Sequence, residues 1–119
     1  MLFDVLTGVF SALFIALSLI YLFRRKVRGK ISRLRFHCIS GSLLVFAALI
    51  HINLKILTPS LSLGWITFFA LILVAVTGFL KRRFMKSKFC YYAHTACACV
   101  FLLSFAVHAI QQIINLLVM

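Results

Sequence analysis

Four apolar runs, each about as long as a membrane is thick, constrain the fold of this chain more than any other feature. A helix needs roughly 20 mostly apolar residues to cross the hydrocarbon core of a bilayer. Hydrophobic residues make up 65% of the 119 residues, and the mean hydropathy is +1.17. Such a composition is typical of membrane proteins rather than of soluble domains. The runs predict four transmembrane helices, at about residues 3–23, 34–57, 61–80 and 89–117.

The connections between these runs are short, which predicts an all-α membrane protein with one up-down-up-down four-helix bundle. Pro59 marks the turn between the second and third helices, and Ser32 and Ser87 are suitable N-caps for the second and fourth. Short loops make consecutive helices antiparallel neighbours, so the second and fourth helices run in the same direction. We therefore expect residues 1–119 to form a single transmembrane domain.

Basic residues are concentrated in two connections, whereas acidic residues are almost absent. Of the 13 Lys and Arg, seven lie in residues 24–35 and five in residues 81–88. Short basic loops stay cytoplasmic, so both loops are predicted to face the cytoplasm and both termini the opposite side of a prokaryotic plasma membrane. These loops are first of all topology signals; attraction to anionic membrane lipid or to an acidic soluble partner is a secondary role, and nucleic acid is not expected. Asp4 is the one acidic residue, which excludes catalysis by paired carboxylates or a Ser-His-Asp triad.

All four histidines lie in the second and fourth apolar runs, in two pairs with the same spacing. Thirteen residues separate the members of each pair, and a shift of 57 residues superposes His37 on His94 and His51 on His108. This register predicts a tandem repeat of a helical hairpin. Equivalent residues of such repeats lie at equal depth in the membrane. His37 is therefore expected to face His94 near the cytoplasmic side, and His51 to face His108 near the outer side.

The spacing also indicates what the histidines bind. Two histidines fourteen positions apart in one helix lie roughly 21 Å from each other and within about 40° of the same direction. They are too distant to share a ligand, so the expected unit is a pair across two helices. Zinc usually takes three or four protein ligands, and neither Cys38 nor Cys97 is placed to complete such a set. Haem needs one or two axial ligands, so two stacked haems are predicted.

A haem-free alternative stays open. A membrane histidine can be a structural residue that hydrogen bonds to Ser or Thr on the next helix. The chain would then be a small transporter or an anchoring subunit. An engineered minimal dihaem protein is a further possibility, because it would carry the same ligand pattern.

The two histidine pairs, on the second and fourth helices, resemble the dihaem core of cytochrome b from quinol-oxidising bc complexes. They are also similar to the haem helices of the ferric reductase and NADPH oxidase superfamily. The resemblance covers essentially the whole chain, although the later helices of cytochrome b and the flavin domain of the reductases are missing. It implies electron transfer across the bilayer between redox partner proteins or a quinone, and axial iron ligands at His37, His51, His94 and His108.

The haems are expected to be two haem b, because no C-x-x-C-H motif is present for covalent attachment. With both axial positions of each iron filled, any oxidoreductase activity is expected at a haem edge. Interfacial polar residues at the outer end are candidate contacts for a quinone headgroup; they are Asn53, Gln111, Gln112 and Asn115.

Further candidate haem contacts are glycines and cations. Gly64 and Gly78 are fourteen residues apart and are similar to glycines that let a haem approach the backbone in cytochrome b; Gly41, one turn after His37, is a third candidate. Helix packing is the alternative role for these glycines. The haem propionates are expected near cations, which are Arg33, Arg35 and Lys88 for the inner haem and Lys55 for the outer one. The alternative for Lys55 is that its side chain only extends to the membrane interface.

Overall fold

The computed structural model describes residues 2–23, 30–53 and 62–119, and within its helices it describes all side chains but those of residues 21–23, 30–33 and 53. Each of the helices is long and apolar enough to cross a membrane. Over the described residues, the prediction of helical structure with four helices of spanning length is confirmed. These helices are α1 (Leu2–Phe23), α2 (Lys30–Asn53), α3 (Leu63–Arg83) and α4 (Lys88–Val118).

The helix ends differ from the sequence prediction where cations are present. α3 continues through Lys81, Arg82 and Arg83, because cations in a last turn interact favourably with the helix dipole. α2 includes Lys30, so Ser32 lies inside the helix and its predicted role as N-cap is wrong; Lys and Arg are good helix formers, and apolar content alone places the start too late.

The predicted cap of α4 is confirmed. Ser87 precedes the helix, and its hydroxyl oxygen accepts a hydrogen bond from the backbone N–H of Cys90 at 3.4 Å. The turn before it is closed by the backbone N–H of Ser87, which donates to the carbonyl of Phe84 at 3.0 Å. Pro59, predicted to mark the preceding turn, lies outside the described residues.

The chain divides into two compact units, Met1–Pro59 and Ser60–Met119. In the first unit α1 packs against α2, and in the second α3 packs against α4. The two units coincide with the two hairpins that the 57-residue repeat predicts. We call them the first hairpin and the second hairpin.

Few of the described side chains are buried. In the first hairpin the buried hydroxyls of Ser18 and Ser40 lie 2.6 Å apart and join α1 to α2. In the second hairpin Leu71 and Phe101 are buried. Large apolar side chains are instead exposed along every helix, for example Phe69 at 61% and Leu103 at 69%. Such surfaces favour a membrane protein, since lipid tails are as apolar as these side chains.

Candidate functional site

The four histidines lie on α2 and α4, and each is half-buried. Because both helices are continuous between their histidines, the Cα–Cβ bonds of the two histidines of one helix point within about 40° of each other. Contacts with the preceding helix are described for His51, His94 and His108. The Nδ1 atoms of His37 and His108 each have less than 1 Å² of exposed surface.

In the first hairpin, Thr7 of α1 hydrogen bonds to His51 of α2. Oγ1 of Thr7 lies 2.7 Å from Nδ1 of His51. The same oxygen lies 3.0 Å from the carbonyl of Phe3 and 3.1 Å from that of Asp4. When the hydroxyl proton is donated to one of these carbonyls, the hydroxyl oxygen accepts from Nδ1–H of His51, and a neutral ring then has its lone pair on Nε2.

In the second hairpin, the backbone of α3 orients His94 of α4. Nδ1 of His94 lies 3.2 Å from the carbonyl oxygen of Val74 and 3.3 Å from Oγ1 of Thr77. The carbonyl must accept, so Nδ1 carries the proton and the lone pair of a neutral ring lies on Nε2. Histidines that bind metals almost always donate their other ring N–H to a carbonyl, a carboxylate or water. His94 therefore has the tautomer and the kind of partner that a metal ligand needs.

Two glycines of α3 lie against the histidine rings of α4. A Cβ at Gly78 would lie 3.1 Å from Cε1 of His94, and one at Gly64 would lie 3.2 Å from Cε1 of His108. Both distances are shorter than ordinary van der Waals contact between carbon atoms. The fourteen-residue spacing of the glycines thus matches that of the histidines on the next helix. Direct contact between these glycines and a haem stays a prediction.

The remaining glycines of the described helices have open surroundings. A Cβ at Gly8 or Gly41 would meet no atom of the described residues within 4 Å. Gly41 follows His37 by one helical turn, as the sequence indicates. Its predicted contact with a haem also stays a prediction.

The two hairpins hold equivalent histidines by different contacts. The 57-residue shift places Thr7 at the position of Gly64, so His51 meets a hydroxyl where His108 meets a glycine. The same shift places Ile20 at the position of Thr77, beside which His94 lies. Sequence reasoning missed Thr7, Val74 and Thr77. Superposing the first helix of each hairpin would have pointed to Thr7, because it falls on a glycine already selected for its spacing.

The predicted propionate and quinone contacts are only partly described. The side chains of Arg35 and Lys88 are exposed near the starts of α2 and α4, and Gln111, Gln112 and Asn115 are exposed on the last turns of α4. The side chains of Arg33 and Asn53, and the whole of Lys55, lie outside the described residues. The four cysteines are free thiols.

Across residues 2–23, 30–53 and 62–119, no group of three or more His, Cys, Asp or Glu side chains lies together as a candidate metal site. Comparison with protein-family models, with curated proteins and with solved structures gives no match. The resemblance to cytochrome b and to the ferric reductase superfamily stays a prediction.

Proposed function

We propose that this chain is a membrane-bound cytochrome that holds two b-type haems and conducts electrons across the bilayer. The observation that carries the proposal is the contact of His94 with Val74. It puts the proton of the ring on Nδ1 and the lone pair on Nε2, the atom that would bind iron. Thr7 gives His51 the same tautomer when its hydroxyl proton is donated to the backbone of α1. Neutral imidazoles held in a set orientation fit axial ligation of haem iron.

The repeated spacing supports two haems rather than one. Roughly 21 Å separates the histidines along each helix, and the 57-residue repeat predicts one histidine of α2 and one of α4 at each depth in the membrane. The proposed pairs are His37 with His94 for the inner haem and His51 with His108 for the outer haem. This pairing requires the two hairpins to form one up-down-up-down bundle with α2 and α4 on its diagonal.

The chain's own residues would hold, orient and enclose the haems. Haem supplies one-electron oxidation and reduction when it is bound. The four imidazoles would hold the two haems, and Thr7 and Val74 would orient two of these imidazoles. Apolar helices around the haems would exclude water and so influence their potentials. With two histidines assigned to each haem, no substrate is expected to bind at iron.

The aromatic residues of the second hairpin support a transmembrane orientation. Trp65 lies at the start of α3 with Phe69 at a ring-centroid distance of 6.1 Å. At the other end of the hairpin, Nζ of Lys81 lies 4.6 Å from the ring centroid of Tyr91. The sixteen residues from Trp65 to Lys81 span roughly 24 Å of helix. Aromatic rings at both interfaces and cations on the cytoplasmic side are typical of membrane helices.

The remaining parts of the proposal concern location and partners. We place the protein in a prokaryotic plasma membrane, with the loops 24–35 and 81–88 in the cytoplasm and both termini outside. Electrons would enter and leave through redox proteins or a quinone on the two sides. Anionic lipid would surround the basic loops.

The Thr7–His51 hydrogen bond also favours a second candidate, because a haem-free membrane protein would use Thr to pair a structural histidine in this way. Purification from cells supplied with a haem precursor decides between the two. The cytochrome is expected to contain two haems per chain and to show split α and β absorption bands on reduction. A colourless protein of full helix content would favour the transporter or anchoring subunit. The control is a variant with all four histidines replaced by phenylalanine, which should be colourless in either case.

Thr7→Val is expected to weaken the outer haem site by roughly 10- to 100-fold, because Nδ1–H of His51 loses its acceptor while the shape of the side chain is kept. The measurement is transfer of haem to a competing apoprotein, followed separately for the two haems. Thr95→Val is the matched control, since the hydroxyl of Thr95 is exposed and donates within its own helix to the carbonyl of Tyr91 at 3.0 Å. Equal haem loss from both variants would contradict a role for Thr7.

Gly41→Leu tests whether a haem lies against α2. A Cβ at this position meets no described atom within 4 Å, so helix content is expected to stay unchanged. If the inner haem lies beside Gly41, the leucine takes its place and the haem content falls from two to one. Gly8→Leu is the control, because its surroundings are equally open. A Gly41→Leu protein with two haems would remove Gly41 from the site.

A further inference from the structure

Gly78 lies where a side chain would block His94 from the backbone of α3. In an α-helix the carbonyl of one residue points toward the residue four positions later, so the carbonyl of Val74 points toward position 78. A Cβ there would lie 3.1 Å from Cε1, 3.4 Å from Nδ1 and 3.9 Å from Nε2 of His94. The imidazole therefore occupies the space of the missing side chain.

Thr77 adds a second acceptor at the same nitrogen. Its Oγ1 lies 3.3 Å from Nδ1 of His94, and it lies 2.7 Å from the carbonyl of Leu73, which can only accept. The hydroxyl proton is thus directed to α3, and the hydroxyl oxygen is left to accept from Nδ1–H. Together with the carbonyl of Val74 at 3.2 Å, Nδ1–H faces two acceptors.

Acceptors at Nδ1–H draw the proton away from the ring and raise the basicity of the other nitrogen. A more basic ligand stabilises ferric iron more than ferrous iron, because the ferric ion carries the higher charge. We infer that Gly78 and Thr77 are positioning residues that give Nδ1 of His94 its two acceptors and thereby lower the reduction potential of the inner haem. This inference rests on the proposed dihaem function.

The histidine at the other depth provides the comparison. In the first hairpin Nδ1 of His51 contacts the hydroxyl of Thr7, and neither Gly8 nor Gly41, the glycines whose surroundings are described there, would bring a Cβ within 4 Å of it. A hydroxyl is a weaker acceptor than a peptide carbonyl. Changes at Gly78 and Thr77 should alter the reduction potential of the inner haem. The reduction potential of the outer haem should stay unchanged.

The test is a potentiometric titration of the purified dihaem protein, followed at the α band, with the ferric EPR spectrum recorded in parallel. In Gly78→Ala the new methyl group pushes the ring away from α3 and lengthens the Nδ1 contact with Val74. We expect the ratio of ferric to ferrous affinity of one haem to fall about tenfold, which is a rise of about 59 mV for one electron. The low-spin EPR signal of the same haem should shift, and the other haem should keep its potential. Gly8→Ala, at an open position, should change neither potential.

Thr77→Val removes one acceptor without adding bulk, and it decides the question if Gly78→Ala fails to fold or loses its haem. It should raise the potential of the same haem by a smaller amount. If both variants bind two haems and neither reduction potential changes, the inference is overturned and the cytochrome proposal stays intact. A wild-type protein that binds no haem would instead overturn the proposed function itself.

Discussion

The double variant His37→Ala/His94→Ala is expected to retain one haem, whereas His37→Ala/His51→Ala is expected to retain none. The first variant removes both ligands of one proposed haem, and the second removes one ligand from each. In the proposed arrangement, loss of one imidazole would leave a haem with a single histidine ligand, which is expected to release it. The measurement is the haem-to-protein ratio of purified protein, with helix content followed by circular dichroism.

The single variants and the remaining doubles make this test sharper. His51→Ala should lose the outer haem and retain one haem per chain. Its haem content should equal that of His51→Ala/His108→Ala. His94→Ala should match His37→Ala/His94→Ala in the same way. If each haem were held within one hairpin, His37→Ala/His51→Ala would instead keep one haem. That result would refute the proposed pairing between α2 and α4.

Gly64→Leu is expected to lose the outer haem and keep the inner one. A Cβ at Gly64 already lies 3.2 Å from Cε1 of His108, so the further three carbons of leucine have no room unless the ring moves away. Displacing an axial ligand by an ångström or more breaks its bond to iron, because ligand geometry is restricted to a few tenths of an ångström. The measurement is the reduced-minus-oxidised spectrum, in which one of two α-band components should disappear.

Gly8→Leu is the matched control for Gly64→Leu. It introduces the same side chain near the start of the first helix of the other hairpin, at a position with no described atom within 4 Å. Both haems should remain in the control. A Gly64→Leu protein with two unperturbed haems would show that the contact with His108 does not matter for ligation.

The four helices and their approximate ends follow from the sequence because hydropathy and helix length are local properties. Twenty apolar residues in a row form a helix wherever lipid or another helix surrounds them. The cap at Ser87 is equally local, since its oxygen reaches an N–H three residues later. The prediction of Ser32 as an N-cap was wrong because hydropathy does not mark where α2 begins. The helix begins before the apolar run does, because Lys and Arg are good helix formers that do not contribute to hydropathy.

The histidine spacing is also a property of the sequence alone, and it carries the prediction of two depths and of the hairpin repeat. The neighbours of each imidazole, in contrast, do not follow from the sequence alone. Thr7 meets His51 across 44 positions, and Val74 meets His94 across 20. Such contacts depend on how far each helix is rotated about its axis and how far it slides along its neighbour. Close packing of side chains decides both, so only the tertiary structure shows that a hydroxyl, a carbonyl and two glycines contact the rings.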